Sequence, residues 1–202
     1  MSFSHNIANK LTMMRFMLSF LFILTMVFDN MYCRIIALLI FILAGITDIY
    51  DGKLARMHNQ ESNYGRVVDP LADKVITATA YVFFVKETEF YIPAWIVSLI
   101  LIREFTISGL RTLALYYKSE VITSKLGKWK TISQFVAIIS ILLICIVNLY
   151  FRNNNINLHP AMIAVNKYIP VTLMSINFIA TWLSGLDYII KNKRLVYDIA
   201  VK

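Results

Sequence analysis

"TDIYDGKLARMHNQESNYGRVVDPLADK", residues 47–74, places Asp48, Asp51, Asp69 and Asp73 between two long apolar runs. Asp48 and Asp51 are spaced i,i+3 and Asp69 and Asp73 i,i+4, so on helices each pair shares one face. If the preceding run ends, and the following run starts, at the same edge of a membrane, all four carboxylates lie at one depth. Two unit negative charges roughly 4 Å apart repel by about 4 kcal/mol at an effective dielectric of ~20, so four such groups need a cation among them. A set of carboxylates without Cys or His suits a hard divalent ion, Mg²⁺ or Mn²⁺. Mg²⁺ in particular is commonly shared between a few carboxylates and phosphate oxygens. The plainer alternative pairs the acids with Arg56, Arg66 and Lys74.

The flanking sequence is suited to lipid. Of 202 residues, 58% are apolar and 16% charged, against about 45–50% and about 25% in an average soluble domain. Apolar runs at 12–28, 35–51, 67–85, 92–117, 132–151 and 168–190 approach the ~20 residues that a helix needs to cross the hydrocarbon core. The expectation is an all-α polytopic membrane protein with six transmembrane helices, organised as a single domain over 1–202. The acids then lie in the last turn of the second helix and the first turns of the third. Segments 52–66 and 118–131 are the longer polar loops.

Six spans put both termini on one side. All but four of the 20 Lys and Arg fall there, the exceptions being Arg34, Lys86, Arg152 and Lys167. That side is cytoplasmic by the positive-inside rule, so the net charge of +8 reflects topology and no nucleic-acid partner is expected. Arg15, inside the first run, is close enough to this side to snorkel. The first run has the basic flank of a signal peptide but no small-x-small cleavage pattern, and is read as a retained anchor. Cys33 and Cys145 are too few for a disulfide framework.

The residues between the acids complete a pattern: Asp48-x₂-Asp51-Gly52-x₂-Ala55-Arg56-x₈-Gly65-x₃-Asp69-x₃-Asp73. Gly52 lets a ligand approach the backbone beside the acids, Ala55 leaves room for a flat base, and Gly65 permits close helix approach or a sharp loop. Arg56 can pair with an acid or a phosphate. This pattern resembles, without a gap, the signature of the CDP-alcohol phosphatidyltransferase family. The resemblance implies transfer of a phosphatidyl group from CDP-diacylglycerol to an alcohol with release of CMP, at a site holding two Mg²⁺ or Mn²⁺ ions. It further implies that Asp48, Asp51, Asp69 and Asp73 hold metal, that Asp73 is also the catalytic base, and that Gly52, Ala55, Arg56 and Gly65 bind the nucleotide donor. A homodimer in the inner (cytoplasmic) membrane, with its active site facing the cytoplasm, is the implied assembly.

Three further stretches bear on the acceptor. "NIANKLTMMR" at 6–15, "IREFTISGLR" at 102–111 and "LGKWKT" at 126–131 resemble the branch of the family that accepts glycerol 3-phosphate, although Ala8 replaces a usual proline. They bring Arg103, Arg111, Lys128 and Lys130 towards the cytoplasmic halves of the fourth and fifth helices, where a phosphate-bearing acceptor would need cations. Arg103 and Arg111 lie eight residues apart, about 12 Å along a helix, so they could line one groove but not grip one phosphate at the same height. Arg111 with Lys130 is the favoured pair. Positive-inside charge alone is the competing explanation, least apt for Arg103, which lies deeper and can instead pair in the neighbourhood of Glu104.

His5, His58 and His159 are scattered and suggest no shared site. Trp95 and Trp129 suit interfacial anchors. Competing functions are a sister transferase that accepts serine, inositol phosphate or phosphatidylglycerol, a membrane prenyltransferase, and a cation transporter. A prenyltransferase would show paired acidic motifs on separate repeats. A transporter would place its acids near the bilayer midplane, in helices related by inverted repeats.

Overall fold

The computed structural model describes residues 3–58, 63–117, 121–122, 125–156 and 159–193, with the side chains of all these except 3–12, 48–58, 63–73, 88, 115 and 125. Among the described residues there are six α-helices and no strand: α1 (Phe3–Val27), α2 (Met31–His58), α3 (Asn63–Lys86), α4 (Ala94–Tyr116), α5 (Lys125–Asn153) and α6 (Pro160–Lys191). One 3₁₀ turn, Thr88–Phe90, joins α3 to α4. Each apolar run corresponds to one helix, and every helix except α4 extends beyond its run; α4 (Ala94–Tyr116) falls slightly short of 92–117. Gly52–His58 continues α2, and Gly65 lies in the first turn of α3, so most of the expected 52–66 loop is helical. Hydropathy reports the part of a helix that lipid can solvate. The 28 residues of α2 span about 42 Å at ~1.5 Å each, well beyond a hydrocarbon core of about 30 Å.

The chain forms two compact units. One comprises Met1–Phe83 and Leu142–Leu158, the other Phe84–Ile141 and His159–Lys202. In the first, α1 packs on α2, with Phe22, Met26, Ala37, Phe41 and Ala44 buried and the Phe22 and Phe41 rings 6.3 Å apart. The turn between these helices is built from polar caps. Asn30 Oδ1 accepts from the Tyr32 backbone N–H, and buried Arg34 donates to the carbonyls of Met26 (2.7 Å) and Phe28 (3.4 Å) at the end of α1. Asp29 in the same turn pairs with Arg152 in the last turn of α5.

In the second unit, α6 packs on α4 and on the 3₁₀ turn, whose Phe90 is buried. Trp95, Phe178 and Trp182 form a chain of edge-to-face and tilted ring contacts. His159 caps α6, its Nδ1 accepting from the Ala161 N–H, and Pro160 follows at the first helical position. At the other end Asn192 is clasped to Ile122. Its Oδ1 accepts from the Ile122 N–H, and its Nδ2 donates to the Ile122 carbonyl.

The core is largely apolar, yet α6 also buries polar side chains while exposing large apolar ones. The interior positions of α6 include Asn166, Asn177, Thr181 and Ser184, while Ile176, Ile179, Leu183, Leu186 and Ile190 face outward. Outward hydroxyls are satisfied by their own helix: Thr106 donates to the Ile102 carbonyl and Thr172 to that of Tyr168, both at 2.7 Å. A helix in lipid needs this, because no water is present to take the bond. The segments Leu126–Asn153 and Pro160–Lys191 are long and apolar enough to cross a membrane, with shorter apolar stretches at Met13–Val27 and Met31–Thr47. These features are those of a membrane protein.

The four cations that run against the charge bias all have local roles. Arg34 caps α1, Arg152 pairs with Asp29, Lys86 lies in the last turn of α3, and Lys167 sits 5.0 Å from the Tyr91 ring centroid. Arg15 departs from expectation. It is buried at 7% exposure and engaged within the protein, so its charge is not carried outward along the helix surface. Both cysteines are free.

Candidate active site

The acidic signature lies on two helices of one unit. Asp48, Asp51, Gly52, Ala55 and Arg56 are in α2, and Gly65, Asp69 and Asp73 are in α3. Their side chains lie outside the described set, so it is the backbone that places them. Helical conformation through 48–51 and 69–73 realises the i,i+3 and i,i+4 spacings, so each aspartate pair occupies one helix face. The acids are further from the helix ends than expected. Asp48 and Asp51 lie about two to three turns before His58, and Asp69 and Asp73 a similar distance after Asn63. Counted along the chain, the two pairs are thus at similar distances from residues 59–62. Four carboxylates with neither Cys nor His fit a hard divalent cation in donor chemistry.

Of the basic residues, Arg103 and Lys130 meet. Glu104 on α4 is buried, and its Oε1 forms an ion pair with Lys130 Nζ on α5. The same oxygen accepts from Arg103 Nη1 and from Gln134 Nε2, each at 3.3 Å. Arg103 Nη2 donates to Ser184 Oγ on α6 at 3.0 Å. The Arg103 side chain crosses Gly185, where a β-carbon would stand 2.7 Å from Nε. Gly127, in the first turn of α5, approaches the Ser184 hydroxyl, which would lie 3.9 Å from an added β-carbon. Three helices of the second unit therefore converge on one buried polar node.

Arg111 and Lys128 are exposed. Arg111 lies beside Tyr188 of α6, its guanidinium carbon 6.0 Å from the ring centroid, whereas Lys130 is on Glu104. The expectation that Arg103 can pair near Glu104 is met. Gln134, Ser184, Gly185 and Tyr188 were not singled out in the sequence. The available signal was Glu104 itself, an acid within an apolar run that requires a partner. Nothing in the sequence indicates that the partners come from residues 130, 134 and 184.

The sequence pattern of the CDP-alcohol phosphatidyltransferase family matches residues 5–183. A Rickettsia bellii protein named CDP-diacylglycerol–glycerol-3-phosphate 3-phosphatidyltransferase is 37% identical over 139 residues, covering 68% of this chain and 75% of that one. Proteins of the same name from Bacillus subtilis and Cereibacter sphaeroides are 33% identical over 150 residues (68% of this chain, 77% of the relative) and 44% identical over 105 (50% and 47%). No solved structure matches the chain. With the signature uninterrupted on α2 and α3 and the family pattern extending over most of the sequence, this chain belongs to the CDP-alcohol phosphatidyltransferase family.

Proposed function

We propose that this protein transfers the phosphatidyl group of CDP-diacylglycerol to sn-glycerol 3-phosphate, giving phosphatidylglycerophosphate and CMP. The observation that carries this reading is the eight-position signature on two helices of one unit, in a chain whose relatives are named for that reaction. The family is generally divalent-metal dependent. Mg²⁺ or Mn²⁺, as two ions held by Asp48, Asp51, Asp69 and Asp73, would screen the donor's pyrophosphate and stabilise charge on the departing CMP.

The chain's own groups do the rest. Gly52, Ala55, Arg56 and Gly65 bind the nucleotide end of the donor. Arg111 with Lys130, and after them Arg103 and Lys128, are read as the ligands of the acceptor's phosphate, leaving its free hydroxyl to attack the β-phosphorus. Asp73 takes the proton of that hydroxyl as its oxygen bonds to phosphorus and the bond to the CMP oxygen breaks. The diacyl tails stay in the bilayer, because each CH₂ withdrawn into water costs about 0.8 kcal/mol. On this reading the protein works in the cell's inner membrane as a homodimer whose protomers cross six times, with termini and active site cytoplasmic.

The test is release of CMP from CDP-diacylglycerol by the purified protein in detergent, with and without Mg²⁺ or Mn²⁺, across glycerol 3-phosphate, serine, inositol phosphate and phosphatidylglycerol. Metal-dependent release with glycerol 3-phosphate is expected. Release with another acceptor alone would reassign the substrate. No release with any acceptor, together with metal-driven flux in liposomes, would overturn the enzyme reading.

A further inference from the structure

The node around Glu104 joins α4, α5 and α6 through side chains. Its named residues bring two cations and one carboxylate together out of water. Arg103 is fixed by other means as well, donating to Ser184 and lying against Gly185. Lys130 differs in kind. It is a compact point charge on a four-carbon stem with many rotamers, and its ion pair with Glu104 selects among them. Gln134, one turn further along α5, donates to the same carboxylate oxygen and so orients the carboxylate.

We propose that Glu104 is a positioning residue for the acceptor's phosphate: it sets the Lys130 ammonium, and through Lys130 the affinity for an alcohol that carries a phosphate monoester. This rests on the reading of Lys130 as a ligand of that phosphate. Glu104 touches neither substrate nor reacting atoms. A carboxylate beside the anion site lowers the local positive potential, so its benefit lies in order: the ammonium is held where the phosphate arrives, and the two buried cations are kept from driving each other apart.

The experiment is steady-state kinetics on the full chain in detergent with saturating CDP-diacylglycerol, comparing Glu104→Gln, Lys130→Met and the double variant, with thermal melting as the check on folding. Lys130→Met is expected to raise KM for glycerol 3-phosphate about tenfold or more, and Glu104→Gln about three- to tenfold, with kcat and the KM for CDP-diacylglycerol changed far less. The double variant should bind the acceptor no more weakly than Lys130→Met alone, because Glu104 acts through a group already removed. Additive effects, or an unchanged or lowered KM in Glu104→Gln, overturn the positioning role while leaving Lys130 in place. An unchanged KM in Lys130→Met overturns the reading of Lys130 itself. If Glu104→Gln does not fold, Gln134→Met replaces it, since it loosens the carboxylate without unpairing a charge. A rise of about twofold in the same KM, absent in the Lys130→Met background, supports the role, and no rise overturns it.

Discussion

Arg103 of α4 lies across Gly185 of α6 so closely that a β-carbon on Gly185 would stand 2.7 Å from Nε and 3.2 Å from Cγ of the arginine. The arginine has little freedom to yield, because its two terminal nitrogens are committed to Glu104 and Ser184. Gly185→Ala should therefore cost about 1–3 kcal/mol by overpacking. Gly109, also helical, has nothing within 4 Å of an added β-carbon, and Gly109→Ala should be neutral or stabilise by up to about 1 kcal/mol. Thermal melting in detergent distinguishes the two, and equal behaviour would contradict the packing described.

Arg34 and Arg152 sit in the same polar cluster but should differ in weight. Arg34 is buried and donates to the carbonyls that end α1, so Arg34→Met should destabilise by about 2–3 kcal/mol. Arg152 and Asp29 are each more than half exposed, and Arg152→Ala should cost less than about 1 kcal/mol. Denaturation of the two variants measured side by side checks the ranking.

Asn192 holds the chain at Ile122 with two reciprocal hydrogen bonds and also donates to the Tyr188 carbonyl. Asn192→Ala removes all three side-chain bonds at a largely buried position. A loss of about 1–3 kcal/mol in unfolding free energy is expected, and a melting temperature equal to wild type would show the clasp to be dispensable.

Asp73→Asn keeps the size of the proposed base and removes its ability to take a proton. Turnover should fall by about 10²–10⁴-fold while binding of CDP-diacylglycerol persists. The measurement is CMP release paired with equilibrium binding of the donor. Near-normal turnover would move the base role to another residue.

Chelation offers a test that needs no substitution. EDTA should abolish CMP release, and Mg²⁺ or Mn²⁺ should restore it, because on the proposed reading the four carboxylates share one site and need a cation among them. Activity that survives exhaustive chelation would contradict the assignment of Asp48, Asp51, Asp69 and Asp73 to metal.

The sequence by itself determined the number and order of the helices and the acidic signature. Lipid compatibility depends on the hydropathy of a continuous segment, and the aspartates are linked through i,i+3 and i,i+4 spacings that any helix realises. It did not determine where α2 and α3 end. Residues 52–58 and 63–66 carry Lys53, Arg56, His58 and Arg66, and such charged and polar side chains mark the limit of the hydrocarbon region without breaking a helix. The tertiary structure decided the partners: Glu104 with Lys130 and Gln134, Arg103 with Ser184, Asp29 with Arg152, and Ile122 with Asn192. These pairs join residues 26 to 123 positions apart, and such contacts depend on how helices lean and rotate against one another, which one-dimensional spacing does not record.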